Sequence, residues 1–272
     1  MRKIILFSII VTLLSSCGAR RIYTSASYGS LKSYTEKPIN NGEKETATYI
    51  SGTFSNPRHP QDNEDPDKAT AGSFSIYRAT TDKRLNYYYG LGAGFGTYQF
   101  KSELANTDNS IKYIDENDAL NFYNINLKTG INFTKTWERF EYSIVGLEFI
   151  YVNEFGPYID KLNSLPEISE VYVFDKKSIF AFNLNTEITF RINKNNNIGY
   201  GIFFGSVLFL DRQETENKSA SYNGFILKYN YKDFTISLVK ENSAGLINST
   251  QFGLTYKLFS KSKVIDEEAP EN

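Results

Sequence analysis

The residues able to do chemistry in this chain form a narrow set. Its 272 residues include one histidine and one cysteine. A Ser-His-Asp or Cys-His site needs a histidine placed beside its nucleophile, and a zinc site needs three or four His, Cys or carboxylate ligands. His59 and Cys17 supply neither set, and a lone cysteine forms no disulfide within the chain, so no catalytic residue, metal or cofactor is expected. His59 sits near Asp62, Glu64, Asp65 and Asp67. Their oxygens suit Ca²⁺ in type, but the spacing follows no calcium loop, and a solvated loop is the reading taken. Six other charged residues are more informative: Lys128, Glu148, Glu187, Arg191, Lys228 and Lys257. Each stands on the polar parity of a segment in which every second residue is apolar. Charges withdrawn from water need partners. The six therefore read as a polar network, either a salt-bridged filling or the lining of a narrow pore, with Glu148 and Glu187 on neighbouring segments.

The segments that carry them are β-strands. In Ser178–Asn193, Phe180, Phe182, Leu184, Ile188, Phe190 and Ile192 alternate with Asn183, Asn185, Glu187, Thr189, Arg191 and Asn193. Successive strand residues face opposite ways, so one face is apolar and the other polar. Ten such segments are expected, near 47–55, 71–80, 85–101, 121–134, 140–154, 178–193, 197–211, 220–231, 234–241 and 249–259. Long polar connections at 56–70, 102–120 and 155–177 alternate with short ones at 81–84, 135–139, 194–196 and 232–233. Tyr and Phe are abundant, 20 and 21 residues. Strands of this length and so many outward aromatic rings point away from a soluble sandwich, whose inner face favours Val, Ile and Leu. The fold expected is an all-β, transmembrane, antiparallel up-and-down β-barrel of about ten strands, with an even count placing both chain ends in the periplasm. Gly90, Gly92, Gly94 and Gly96 lie at period two within one strand, unlike a phosphate loop, and leave room inside the barrel for large residues.

The N-terminus has the plan of a targeting segment: basic Arg2 and Lys3, then an apolar run from Ile4 to Leu14 too short to span a bilayer. Leu14-Ser15-Ser16-Cys17 resembles a bacterial lipobox, the site at which a signal peptidase cuts before a cysteine that carries acyl chains. The resemblance implies a signal peptide at 1–16 and lipidation of Cys17. Gly18 replaces the Asp that retains many lipoproteins at the inner membrane, and no acidic cluster of the kind linked to surface export in Bacteroidota-like lipoproteins follows. The lipid is therefore expected on the periplasmic side of the outer membrane. Residues 17–46 read as a lipidated polar tether, with a lumen plug as the second reading; 47–259 as the barrel; and 260–272 as an acidic disordered tail. Gln251-x-Gly253-x-x-Tyr256-x-Leu258 resembles the final-strand signal read by barrel-insertion machinery.

Net charge is −1, which gives no reason to expect a nucleic-acid partner. The leading expectation is a non-enzymatic outer-membrane β-barrel lipoprotein with a structural or surface-interaction role, its partners being outer-membrane lipid, the insertion machinery and a surface ligand or protein met through the outer loops. The alternative is a narrow channel for small solutes. An envelope hydrolase or acyltransferase ranks below both, because the histidine chemistry is missing. Omptin proteases are also ten-stranded barrels, but they set a His beside an Asp on a late strand, and this chain has no such pair.

Overall fold

The architecture was established from a computed structural model that describes residues 21–39, 44–59, 67–101, 104–105, 112–114, 118–165, 171–173, 176–208, 220–243 and 247–263. Cys17, the signal segment and the last nine residues lie outside this set, as do Asp62, Glu64 and Asp65.

Ten long strands form the wall: β1 (Lys44–Ser55), β2 (Asp67–Asp82), β3 (Leu85–Gln99), β4 (Ala119–Thr136), β5 (Phe140–Phe155), β6 (Ser178–Asn193), β7 (Asn196–Leu208), β8 (Ala220–Tyr231), β9 (Phe234–Ser243) and β10 (Ile247–Lys263). Each pairs antiparallel with its sequence neighbours, and β10 returns to pair with β1, which closes the barrel. All ten match the alternating segments. The seam runs further than expected: Lys44–Thr46 pairs with Lys261–Lys263, so residues assigned to the tether and to the acidic tail extend the ladder. Main-chain pairing tolerates such polar side chains where both faces meet water. Tight turns at Lys83-Arg84 and Lys232-Asp233 use left-handed backbone at Lys83 and Lys232. The β4–β5 and β6–β7 turns are also short, whereas the connections at the other end are long, β9–β10 excepted. The long connection after β5 holds an unforeseen helix, α1 (Pro157–Ser164), begun by Pro157 behind Gly156 at φ 113°. Proline suits the first helical turn, where its missing N–H has no partner to lose, and glycine tolerates the positive φ.

The alternation resolves into an apolar exterior and a polar interior. Leu91, Leu127, Phe149, Phe190, Leu227 and Leu254 point outward and are exposed, whereas Asn86, Asn132, Asn183, Thr235 and Thr255 are buried inside. Phe95, Tyr123, Phe155 and Phe180 ring the long-loop end, and Tyr87, Trp137, Phe190, Tyr231 and Phe234 ring the short-turn end. Outward residues on β4 run from Tyr123 to Phe133. At about 3.3 Å per residue and a tilt near 40°, this stretch stands about 25 Å tall, the height of an outer-membrane hydrocarbon band. The exterior is that of a barrel solvated by lipid.

The period-two glycines face inward, and two of them are dictated by close packing. A Cβ on Gly90 would strike Tyr77, and one on Gly96 would strike the Phe122 ring. Both rings are buried in the lumen. Leu127 sits near the middle of the apolar band, so Leu127→Arg is expected to cost about 2–4 kcal/mol. Urea titration of folding into phospholipid vesicles measures this, and the same change at Phe155, near the rim, should cost much less.

Candidate functional site

The inside of the barrel is occupied by the chain's own N-terminal segment. Residues 23–29 and 31, 32, 34, 35, 36 and 38 are buried, enclosed by the ten strands. The segment expected as a tether is thus a lumen filling. The physical reason lies in the wall. Lys128, Glu148, Glu154, Glu187, Lys228 and Glu241 all project inward and are buried. Ten strands enclose little more than side chains, so the charges cannot all keep water. The segment brings Lys32, Glu36 and Lys37 to meet them.

Its path can be followed by its partners. At the long-loop end Arg21–Tyr23 forms a short parallel ladder with Val171–Val173. Tyr23 packs on Phe100, ring centres 5.8 Å apart, in a cluster with Tyr98, Phe122, Tyr158 and Leu162. The Tyr158 hydroxyl of α1 donates to the Thr24 carbonyl at 2.6 Å. Burial pushes this phenol well above its ordinary pKa, which keeps it a neutral donor. Ser25 then opens a 3₁₀ turn over Ala26–Ser30. Glu154 holds that turn, accepting from the Ser25 hydroxyl at 2.7 Å, the Ala26 and Ser27 amides at 3.2 and 2.8 Å, and the Ser27 hydroxyl. A carboxylate gathering this many donors is well satisfied despite burial.

Midway down, Lys32 Nζ lies 2.7 Å from Glu148 Oε1. Asn183 donates to the same carboxylate at 3.0 Å, and the Tyr88 hydroxyl donates to its other oxygen. The Lys32 amide donates to Glu241 at 3.3 Å. Lys128 donates to Ser33 Oγ at 2.9 Å and stands 5.3 Å above the Tyr77 ring. Below them is a second charged group. Lys228 Nζ is 2.6 Å from Glu187, 2.6 Å from the Tyr34 hydroxyl and 3.9 Å from Glu36. Lys37 Nζ reaches Glu187 at 3.6 Å. Glu36 accepts from Asn230 at 2.6 Å and Thr235 at 2.9 Å. At the short-turn end the Pro38 carbonyl accepts from Thr81 at 2.6 Å. The segment therefore descends the whole lumen, from the long-loop mouth at Tyr23 to the short-turn mouth at Pro38.

The six residues singled out in the sequence divide by depth. Lys128, Glu148, Glu187 and Lys228 are deep in the lumen, and each bonds to the N-terminal segment. Glu148 and Glu187 lie on adjacent strands but do not form a pair: Glu148 stands opposite Asn183 and Glu187 opposite Ser143. Arg191 and Lys257 sit near the short-turn rim, Arg191 3.9 Å from Glu141, and Lys257 3.4 Å from Asp233 and 3.9 Å from Glu45. Sequence reasoning missed the segment's own Lys32, Tyr34, Glu36 and Lys37. A signal for them existed: Glu154 shares the inward parity of Glu148, so β5 alone turns two carboxylates inward, and the wall needs cations from elsewhere.

Backbone pairing sets His59 opposite Asp67 in a two-residue ladder. Asp67 is buried, accepting from the Tyr98 hydroxyl at 3.0 Å and the Lys101 amide at 2.7 Å, so it serves the wall. Among the described residues no group of three or more His, Cys, Asp or Glu side chains is placed to hold a metal. A polar cavity of about 160 Å³ remains at the short-turn mouth, beside Glu36, Lys37, Asn230 and Lys257.

No protein-family model and no curated protein matches the sequence. Among solved structures, the chain is similar to an outer membrane channel from Pseudomonas putida F1, with 8% identity over 85% of this chain and 99% of that one, TM-score 0.43. It is similar to the beta domain of the Bordetella autotransporter BrkA, with 11% identity over 78% of this chain and 98% of that one, TM-score 0.45. It is also similar to the translocator domain of the autotransporter NalP from Neisseria meningitidis, with 11% identity over 80% of this chain and 89% of that one, TM-score 0.40. These are likenesses of barrel architecture.

The Lys32–Glu148 pair gives a direct test of the filling. Lys32→Met leaves a buried carboxylate without this cation and is expected to destabilise the folded barrel by about 3–5 kcal/mol. Adding Glu148→Gln to the same chain should return much of that loss. Urea unfolding in detergent, run as a double-mutant cycle, reads the coupling.

Proposed function

We propose that this chain is a lipid-anchored outer-membrane β-barrel without enzymatic activity, closed to solutes by its own N-terminal segment. Its role is structural and interactive. The wall holds the long loops, the short turns face the periplasm, and the loops meet a surface ligand or partner protein. Cys17 carries the acyl chains, and residues 1–16 are the signal removed before acylation. The final strand supports insertion by the barrel-insertion machinery, since Tyr256 and Leu258 of its signal-like motif point outward on β10.

The observation that carries the closed reading is the burial of the N-terminal segment from Tyr23 to Glu36, broken only by the half-buried Ser30 and Ser33, with lysines and carboxylates joined across its length. A conducting lumen needs a water-filled path. Here side chains of the wall and segment occupy it, and the charges that could line a pore bond to each other.

Planar-bilayer recording tests this. The purified full-length chain is expected to give no stepwise current. A variant lacking residues 23–37 should conduct if it keeps the heat-dependent gel mobility of a closed barrel. Stepwise currents from the full-length chain would return the narrow channel to first place. Shortening the 156–177 connection should abolish capture of a surface partner while leaving gel mobility unchanged.

A further inference from the structure

The direction in which the segment runs decides which face of the membrane its upstream end reaches. The order of contacts is monotonic. Thr24 meets α1, beyond the long-loop rim. Ser25 and Ser27 meet Glu154, next to the last residue of β5. Lys32 meets Glu148, near the middle of the same strand. Glu36 meets Asn230 and Thr235, beside the 232–233 turn. Pro38 meets Thr81, beside the 83–84 turn. β1 begins at Lys44, at the same short-turn mouth. The upstream end of the segment therefore stands at the long-loop mouth.

We infer that the N-terminal segment threads the barrel from the outer mouth to the periplasmic mouth, so that the acyl chains on Cys17 enter the outer leaflet at the cell surface. This replaces the periplasmic leaflet expected from the residues around Cys17, and it rests on the proposal that Cys17 is acylated.

Chain length supports the assignment. Tyr23 packs against Tyr98 and Phe100, which lie further along the chain than Phe95, the β3 member of the long-loop aromatic ring. From Arg21 back to Cys17 is four residues, a reach of at most about 14 Å. The hydrocarbon band is about 25 Å tall. The periplasmic leaflet is out of reach unless Tyr23 to Pro38 leave the lumen, which would cost Glu148 its Lys32 cation and Glu154 its donors from Ser25, Ala26 and Ser27. The outer leaflet is near. Ten strands about 4.8 Å apart and tilted near 40° make a wall about 10 Å from the axis, so four residues span the distance from mouth to lipid. The ladder between Arg21–Tyr23 and Val171–Val173 directs the exit toward the connection between β5 and β6.

Cysteine accessibility in intact cells tests the side. Because the mature chain holds no thiol apart from the acylated Cys17, Ala19→Cys introduces a single reactive site. A membrane-impermeant maleimide is expected to label it in intact cells to the same extent as Asp160→Cys on exposed α1. Lys83→Cys, in a short turn, should label only after the outer membrane is permeabilised. Labelling of Ala19→Cys only after permeabilisation, or only after denaturation, would overturn the inference. Arg20→Cys repeats the test if the first variant disturbs processing at Cys17. Mass spectrometry of the N-terminal peptide separates the two ideas. An unacylated Cys17 with a surface-labelled position 19 would sink the lipoprotein reading and its leaflet assignment while leaving the threading intact. An acylated Cys17 with a periplasmic position 19 would sink the threading and the outer-leaflet assignment while leaving the lipoprotein reading intact.

Discussion

Hydrocarbon offers no hydrogen-bond partner to a peptide group, so a sheet that crosses a membrane has to close on itself. In this chain closure falls to β1 and β10, the first and last strands of the wall. The rest follows from the size of the ring. Ten strands leave an interior too narrow for bulk water and too wide for the inward Gly, Ser and Thr residues to fill alone. Material has to be supplied, and the wall's buried carboxylates specify that some of it be cationic.

The N-terminal segment meets both needs with few residues. Tyr23, Tyr28, Leu31 and Tyr34 supply volume, packing into the clusters at the long-loop mouth and mid-lumen. Lys32 and Lys37 supply charge, and Ser25 and Ser27 supply donors. The inward glycines fit the same scheme, since Gly90 yields space to Tyr77 and its strand, and Gly96 to the Phe122 ring, and not to solvent. Buried ion pairs contribute modestly to stability after desolvation, yet a single missing partner is costly. The network therefore fixes register more than it adds strength: sliding the segment by one residue would set Lys32 and Lys37 away from both glutamates.

The wall was legible in the sequence because a period of two is a local property. Phe180 to Ile192 declare an outward face without reference to any other strand, and the same holds for Tyr123 to Phe133. The inward position of Lys128, Glu148, Glu187 and Lys228 follows from the same parity. Their partners did not follow. Residues 21–39 carry no sustained alternation, and their short, polar, aromatic-sprinkled composition resembles a linker. What makes them a core is contact with residues more than a hundred positions away, as Lys32 with Glu148. Helix α1 was hidden for a related reason: one amphipathic turn pair, Tyr158-Ile159 and Leu162, lies in a connection whose prolines suggested only irregular chain.

The seam between β1 and β10 also has a consequence in time. Its paired residues are separated by about the full length of the barrel, as in the Thr255–Ser51 hydrogen bond with 204 intervening steps. The entropy lost on joining chain ends grows with separation, so adjacent hairpins form before this pairing does. Until then the sheet is an open trough whose concave side carries unpartnered carboxylates. The N-terminal segment adjoins β1 and can lie down along that trough, whereas entering a finished ring would mean drawing a charged, aromatic chain end-first through a bore one side chain wide. A sheath rolled around the segment before β10 meets β1 avoids that threading, and the final ladder of hydrogen bonds then encloses it.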